Sequence, residues 1–192
     1  MTYFQSRRPV VTARRGAVAT SQPLAAQIGL QVLIEGGNAV DGAVATAAAL
    51  GVVEPHMTGI GGDVFALVWD AKLRQVTALN SSGRAGGSVD AEAIRARGYS
   101  AIPSEGKDAG LSVTVPGAVA GWDALLEKHG SMSLSDLLEP AIILASEGFA
   151  VSEFIAWLWQ EFESKLTRLP SGRELLPGGK APHFGDVVTL PT

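Results

Sequence analysis

The sequence predicts an α/β domain with helices laid on the faces of a sheet, and three observations carry that prediction. Residues 39–53 read as a helix that is apolar on every face, so it belongs inside a packed layer. Residues 64–69 and 76–79 are apolar runs of strand length, joined by Asp70-Ala71-Lys72-Leu73-Arg74 as a hairpin. Past residue 116 the pattern turns helical three times, over 117–129, 134–147 and 152–166.

The bulk numbers bound the reading. A chain of 192 residues with 46% hydrophobic and 18% charged residues is globular rather than disordered. Its formal charge of -4 and pI of about 5.4 speak against a basic face for nucleic acid. The absence of cysteine excludes a disulfide framework and a thiolate metal site. The chain shows no internal repeat and no domain boundary, so 1–192 is read as one unit.

Residues 1–15 read as a flexible arm, with Arg7, Arg8, Arg14 and Arg15 around Val10 and Val11 and no apolar run of signal-peptide length. A cytoplasmic location is the corresponding expectation. Ala17-Val18-Ala19 is a short apolar strand candidate, followed by Thr20 or Ser21 as a helix cap and Pro23 in the first turn. Over 24–35, Gln27, Gln31 and Glu35 make a polar stripe and Leu24, Ile28 and Val32 an apolar one, which is an amphipathic helix. Gly36-Gly37 ends it.

The apolar helix starts at once, with Asn38 as its cap and Asp41 three positions on, where a carboxylate favours the positive helix end. At roughly 1.5 Å per residue it is too short to cross a membrane, which needs about 20 apolar residues. Glu54-Pro55 stops it, and Gly59-Ile60-Gly61-Gly62-Asp63 feeds into the first strand of the hairpin, expected to be buried on both faces. The second strand runs into the polar, glycine-rich Asn80-Ser81-Ser82-Gly83-Arg84-Ala85-Gly86-Gly87. Strand ends are where sites tend to be built. A surface helix over 90–97, a polar loop over 100–110 and a strand candidate over 111–115 follow. The helix over 134–147 is expected to break near Pro140, and the tail from 170 holds one apolar run, 187–190.

Among candidate residues, Arg84 offers a guanidinium fork suited to a carboxylate, or is a surface arginine in a turn. Gly61, Gly62 and Asp63 form either a nest of amides facing an anion or a tight helix-to-strand connection. The turn lacks the lysine and following helix of a phosphate loop. His56, His129 and His183 have no partner at ligand spacing, so no metal is called for, and nothing points to another cofactor. Phe154, Ile155, Trp157, Leu158, Trp159 and Phe162 read as helix packing. Ser81 and Ser82 have no visible base, and no nucleophile motif is present.

Several of these stretches together resemble a known family. Thr20-Ser21-Gln22-Pro23-Leu24-Ala25, then Gly36-Gly37-Asn38-Ala39-Val40-Asp41 with Ala43-Val44-Ala45, then Val53-Glu54-Pro55 and Thr58-Gly59-Ile60-Gly61-Gly62-Asp63, and finally Val113-Thr114-Val115-Pro116-Gly117-Ala118-Val119-Ala120-Gly121 occur in order. They resemble the large subunit of the gamma-glutamyltransferase family over about residues 16–190. The resemblance implies the four-layer αββα sandwich of N-terminal-nucleophile hydrolases, incomplete in this chain. It also implies an amide hydrolase or acyltransferase whose nucleophile is a threonine at the N-terminus of a second, smaller subunit released by self-cleavage. No catalytic residue then lies in 1–192. The implied partners are that small subunit, the rest of the large subunit and a small-molecule amide.

The family reads a substrate carboxylate with an arginine after the second strand, in an Arg-Glu pair upstream of Ala-Pro. Here the aligned place is nearer Ser82, so Arg84 and Ser82 are the substrate-binding candidates, with Gly61, Gly62 and Asp63 as possible loop contacts. Asp63 stands where much of the family has glycine. Two acyl groups remain open, gamma-glutamyl and another carboxylate-bearing group such as oxamate or glutaryl-cephalosporin, beside a non-catalytic interaction module.

Overall fold

The protein is described by a computed structural model that covers residues 10–104, 106–168 and 170–190. Residues 1–9 of the expected arm, with Arg7 and Arg8, lie outside the described residues, as do Pro191 and Thr192. The elements are α1 (Pro23–Ile34), α2 (Ala39–Val53), β1 (Val64–Asp70), β2 (Gln75–Ser81), α3 (Ala91–Ala96), α4 (Ala118–His129), α5 (Leu134–Glu147), β3 (Phe149–Ala150), α6 (Glu153–Leu166) and β4 (Val187–Val188). The chain is mixed α/β, as expected. Residues 10–15 are exposed and in neither helix nor strand.

Helix α2 has the boundaries its sequence predicts, and both end signals act. The Asn38 side chain accepts from the Val40 and Asp41 amides at 2.8 and 3.2 Å, and Asp41 Oδ2 accepts from the Asn38 amide at 2.8 Å, a reciprocal capping box. At the other end the Glu54 carbonyl accepts from Met57 and Thr58, and its buried carboxylate accepts from the Ser21 hydroxyl at 3.0 Å. That bond ties the approach to α1 onto the end of α2. The cap of α1 is Gln22, not Thr20 or Ser21. Its buried side chain accepts from the Leu24 amide at 2.6 Å, and the Ser21 hydroxyl is spent on Glu54.

Being apolar all round, α2 serves two cores. Ala49 and Val53 pack with Ala25, Phe149, Ile155 and Trp159, whereas Val40, Val44, Ala45 and Ala48 pack with Trp122, Leu125, Leu126 and Leu137. Helices α4 and α5 and the inner face of the hairpin close the second core. The short pair β3–β4 and helix α6 close the first, with Trp159 Nε1 donating to the Leu175 carbonyl at 2.9 Å.

The hairpin is antiparallel, with Val64 opposite Ser81 and Asp70 opposite Gln75, so β2 continues two residues past the apolar run. Asp70 Oδ1 accepts from the Lys72 and Leu73 amides at 2.8 and 2.9 Å, and Arg74 takes a positive φ of 52° to close the turn. Val64, Ala66 and Val68 face the second core. Phe65, Leu67 and Trp69 are 66%, 78% and 59% exposed, so β1 is covered on one face, not both. Burial on both faces requires a layer on each side, and the described residues supply one.

Four other expectations are corrected, the last in part. Residues 17–19 form no strand. Residues 111–115 form no strand either: Ala109–Ser112 is a 3-10 turn, after which a single bridge pairs Thr114 with Ala85. Helix α5 runs unbroken through Pro140. On α6, Ile155 and Trp159 pack inward as expected, but Phe154 and Trp157 are exposed.

Asp41 is buried, and its two oxygens accept from the Ser131 amide, the Met132 amide, the Ser131 hydroxyl and the Asn38 amide. Burial alone would raise its pKa, but these bonds, led by the Ser131 hydroxyl, hold it below the ordinary 3.8. Replacing Asp41 by alanine should destabilise the protein by about 3 kcal/mol, because it strands buried donors. A lowered native pKa makes ionised Asp41 stabilising above the unfolded value of 3.8, and that contribution disappears as pH falls through the native value. Denaturant unfolding across pH should therefore show wild type and Asp41→Asn converging in stability below pH about 4. A gap that stayed constant into acid would contradict this. The bare face of β1 carries a second expectation: residues 1–192 alone should self-associate or aggregate in size-exclusion chromatography with light scattering. A monodisperse, cooperatively unfolding monomer would count against it.

Candidate functional site

Three segments far apart in sequence converge where the hairpin opens: the turn 59–63, the end of β2 with residues 82–84, and residues 114–118 leading into α4. The first and third are joined by main chain. The Gly62 carbonyl accepts from the Gly117 and Ala118 amides at 3.0 and 2.9 Å, which satisfies free donors at the start of α4. The turn 59–63 is thus a structural connection that docks a helix.

The second segment is fastened to both others. Ser81 Oγ donates to the Gly117 carbonyl at 2.7 Å, and the Val115 amide donates to the Arg84 carbonyl at 3.0 Å. Asp63 Oδ1 accepts from the Gly83 amide at 2.9 Å and from Thr114 Oγ1 at 3.4 Å, while Oδ2 accepts from Ser82 Oγ at 3.2 Å. Contact is so close that only glycine fits at the crossing. A Cβ on Gly83 would run into the Val115 carbonyl oxygen, and one on Gly117 into the Ser81 carbonyl oxygen. The same holds one turn into α4, where a Cβ on Gly121 would overlap Val64.

The structure therefore brings Gly62, Asp63, Ser82 and Arg84 together. Arg84 has its main chain pinned and its side chain exposed, with no hydrogen bond or ion pair to its guanidinium among the described residues. An exposed, unpaired fork on a fixed backbone is suited to receiving a planar oxyanion. The Ser82 hydroxyl is engaged with Asp63, and its amide donates to Asn80 Oδ1 at 3.0 Å. Gly61 lies in the exposed turn, with open space where a side chain would be.

His56 stands apart from this cluster. Its ring lies 5.7 Å from both Trp159 and Phe162, neither ring nitrogen has a partner among the described residues, and burial lowers its pKa. It stays neutral at neutral pH and acts as a packing residue.

The contribution of residues 114–117 was not visible from composition or periodicity. The readable signal was the small-residue coincidence of Gly83, Gly117 and Gly121, which marks close approach of chain to chain. What it could not give was the pairing of those segments.

Comparison with known proteins places the chain. Residues 25–192 match the family model described as Gamma-glutamyltranspeptidase. The chain is 37% identical over 186 residues to the glutathione hydrolase proenzyme of Bacillus subtilis (strain 168), covering 96% of this chain and 32% of that protein. It resembles the crystal structure of Helicobacter pylori gamma-glutamyltranspeptidase with a TM-score of 0.81 and 34% identity, over 94% of this chain and 52% of that one. It resembles the cephalosporin acylase from Bacillus halodurans with a TM-score of 0.78 and 39% identity, over 98% of this chain and 37% of that one. The chain thus spans about a third of the length of the curated relative.

The crossing generates a steric prediction. Gly83→Ala should cost about 2–4 kcal/mol in denaturant unfolding of the full-length protein, because a backbone oxygen must move to admit the methyl group. Gly87→Ala, which meets nothing within 4 Å, should stay within about 0.5 kcal/mol of wild type. Equal effects at the two positions would contradict the crossing.

Proposed function

Since the chain belongs to the gamma-glutamyltranspeptidase family, we propose that it is the first part of the large subunit of an acyl-transferring amidohydrolase and contributes the acyl-group carboxylate site. The observation that carries this reading is Arg84, exposed and without a side-chain partner among the described residues, on a backbone fixed from both sides. The nucleophile is the threonine of a small subunit, with its own α-amine as base, as the family resemblance implies. Its hydroxyl oxygen attacks the amide carbonyl, the amine leaves with a proton, and water or an acceptor amine releases the acyl group. Arg84 holds the carboxylate of that group, which places the carbonyl before the threonine. The remainder of the protein covers Phe65, Leu67 and Trp69 and completes the sandwich, which accounts for an apolar sheet face on this part.

Two acyl groups suit a lone guanidinium. A gamma-glutamyl amide such as glutathione presents an α-carboxylate, in keeping with the likeness to a glutathione hydrolase proenzyme. A glutaryl or similar acyl group presents a carboxylate without an amine, in keeping with the likeness to a cephalosporin acylase.

The test is steady-state kinetics of the full-length, processed protein on gamma-glutamyl-p-nitroanilide, glutaryl-p-nitroanilide and oxamate. Arg84→Ala should lower kcat/KM on the best substrate by about 10- to 150-fold, the equivalent of a charged hydrogen bond of about 1.5–3 kcal/mol. An unchanged kcat/KM would remove Arg84 from the site. A full-length sequence lacking a processing threonine would remove the reaction itself.

A further inference from the structure

We infer that Asp63 is a positioning residue for the acyl-group carboxylate, acting through Arg84 and not by touching substrate. The inference rests on the reading of Arg84 as the carboxylate ligand and adds what sets its place. A long arginine side chain reaches a defined point only if its Cα is fixed, and two main-chain bonds bracket that Cα. On one side the Gly83 amide donates to Asp63 Oδ1 at 2.9 Å, and on the other the Arg84 carbonyl accepts from Val115 at 3.0 Å. Asp63 is the one side chain in this bracket. Its other contacts, to the Ser82 and Thr114 hydroxyls at 3.2 and 3.4 Å, tie the same carboxylate to the segments on either side.

Both Asp63 oxygens are thereby committed to protein donors. The residue before it, Gly62, holds the start of α4 through its carbonyl, so Asp63 transmits a fixed point of the fold to the arginine. A carboxylate facing the substrate would repel the group that Arg84 attracts, whereas one spent on Gly83, Ser82 and Thr114 holds the fork in place.

The experiment is a double-variant cycle on the full-length, processed protein with gamma-glutamyl-p-nitroanilide and glutaryl-p-nitroanilide. On the better substrate Asp63→Ala should raise KM about tenfold and leave kcat within about twofold, the pattern of weakened substrate binding. Asp63→Asn, which keeps an acceptor for the Gly83 amide, should recover KM to within about threefold of wild type. In the Arg84→Ala background, Asp63→Ala should add nothing, because its effect passes through the missing guanidinium. Should Asp63→Ala fail to mature, Ser82→Ala with Thr114→Val removes two of the three donors and should raise KM about threefold, again only when Arg84 is present. Losses that add in full in the Arg84→Ala background, or a fall in kcat at constant KM, would overturn the inference. If Arg84→Ala weakens binding and neither set of Asp63 changes does, the positioning role falls and the carboxylate site stands. If Arg84→Ala changes nothing, both fall.

Discussion

The arrangement depends on one buried carboxylate. Asp41 sits in the first turn of an apolar helix, where an ionised group without partners would cost several kcal/mol. It is retained because its bonds come from two places: the helix's own cap, and the turn after α4, through the Ser131 amide and hydroxyl and the Met132 amide. Asn38 adds a second tie, its side-chain Nδ2 donating to the His129 carbonyl at 2.7 Å. The capping box is thus a joint as well as a helix start. It fixes where α4 ends against where α2 begins.

The far end of α4 carries that constraint to the candidate site. Its first amides are held by the Gly62 carbonyl, and Gly121 lets the helix lie directly on Val64 and Ser81. The turn 59–63 and the end of β2 therefore have little freedom once α4 is in place. The frame around Arg84 is built from backbone bonds together with the side chains of Asp63, Ser81, Ser82 and Thr114. The Arg84 guanidinium has no partner among the described residues, and that division is what a binding site needs: a rigid frame with an unspent donor set.

What was legible in the sequence follows from how local each cause is. The bounds of α2 were readable because Asn38, Asp41 and Glu54-Pro55 act within a few residues of themselves, and the hairpin because Asp70 closes its own turn. The cap of α1 was missed because Ser21 is taken by Glu54, a bond across 33 positions that no local rule contains. The strand expected over 111–115 failed for a similar reason. Its apolar residues satisfy β propensity, but no strand among the described residues lies beside them, and only an isolated bridge links Thr114 to Ala85. Arg84 and Asp63 were singled out from residue type and position and Ser82 from the family resemblance, and their convergence emerged only once the hairpin register was known. Thr114 and Val115 were out of reach because they work through distant pairing.

Helix α2 also limits how this chain can drift. Its two sides face different cores, and the residues there are small: Ala45 and Ala49 are fully buried, and Ala48 nearly so. A larger side chain at Ala45, Ala48 or Ala49 would wedge one layer away from α2, although the helix keeps an exposed stripe at Ala39 and Ala43. Compensation must come from the partners, such as Leu137 on one side or Trp159 on the other, so substitutions in α2 are expected to travel with substitutions in α5 or α6 during divergence.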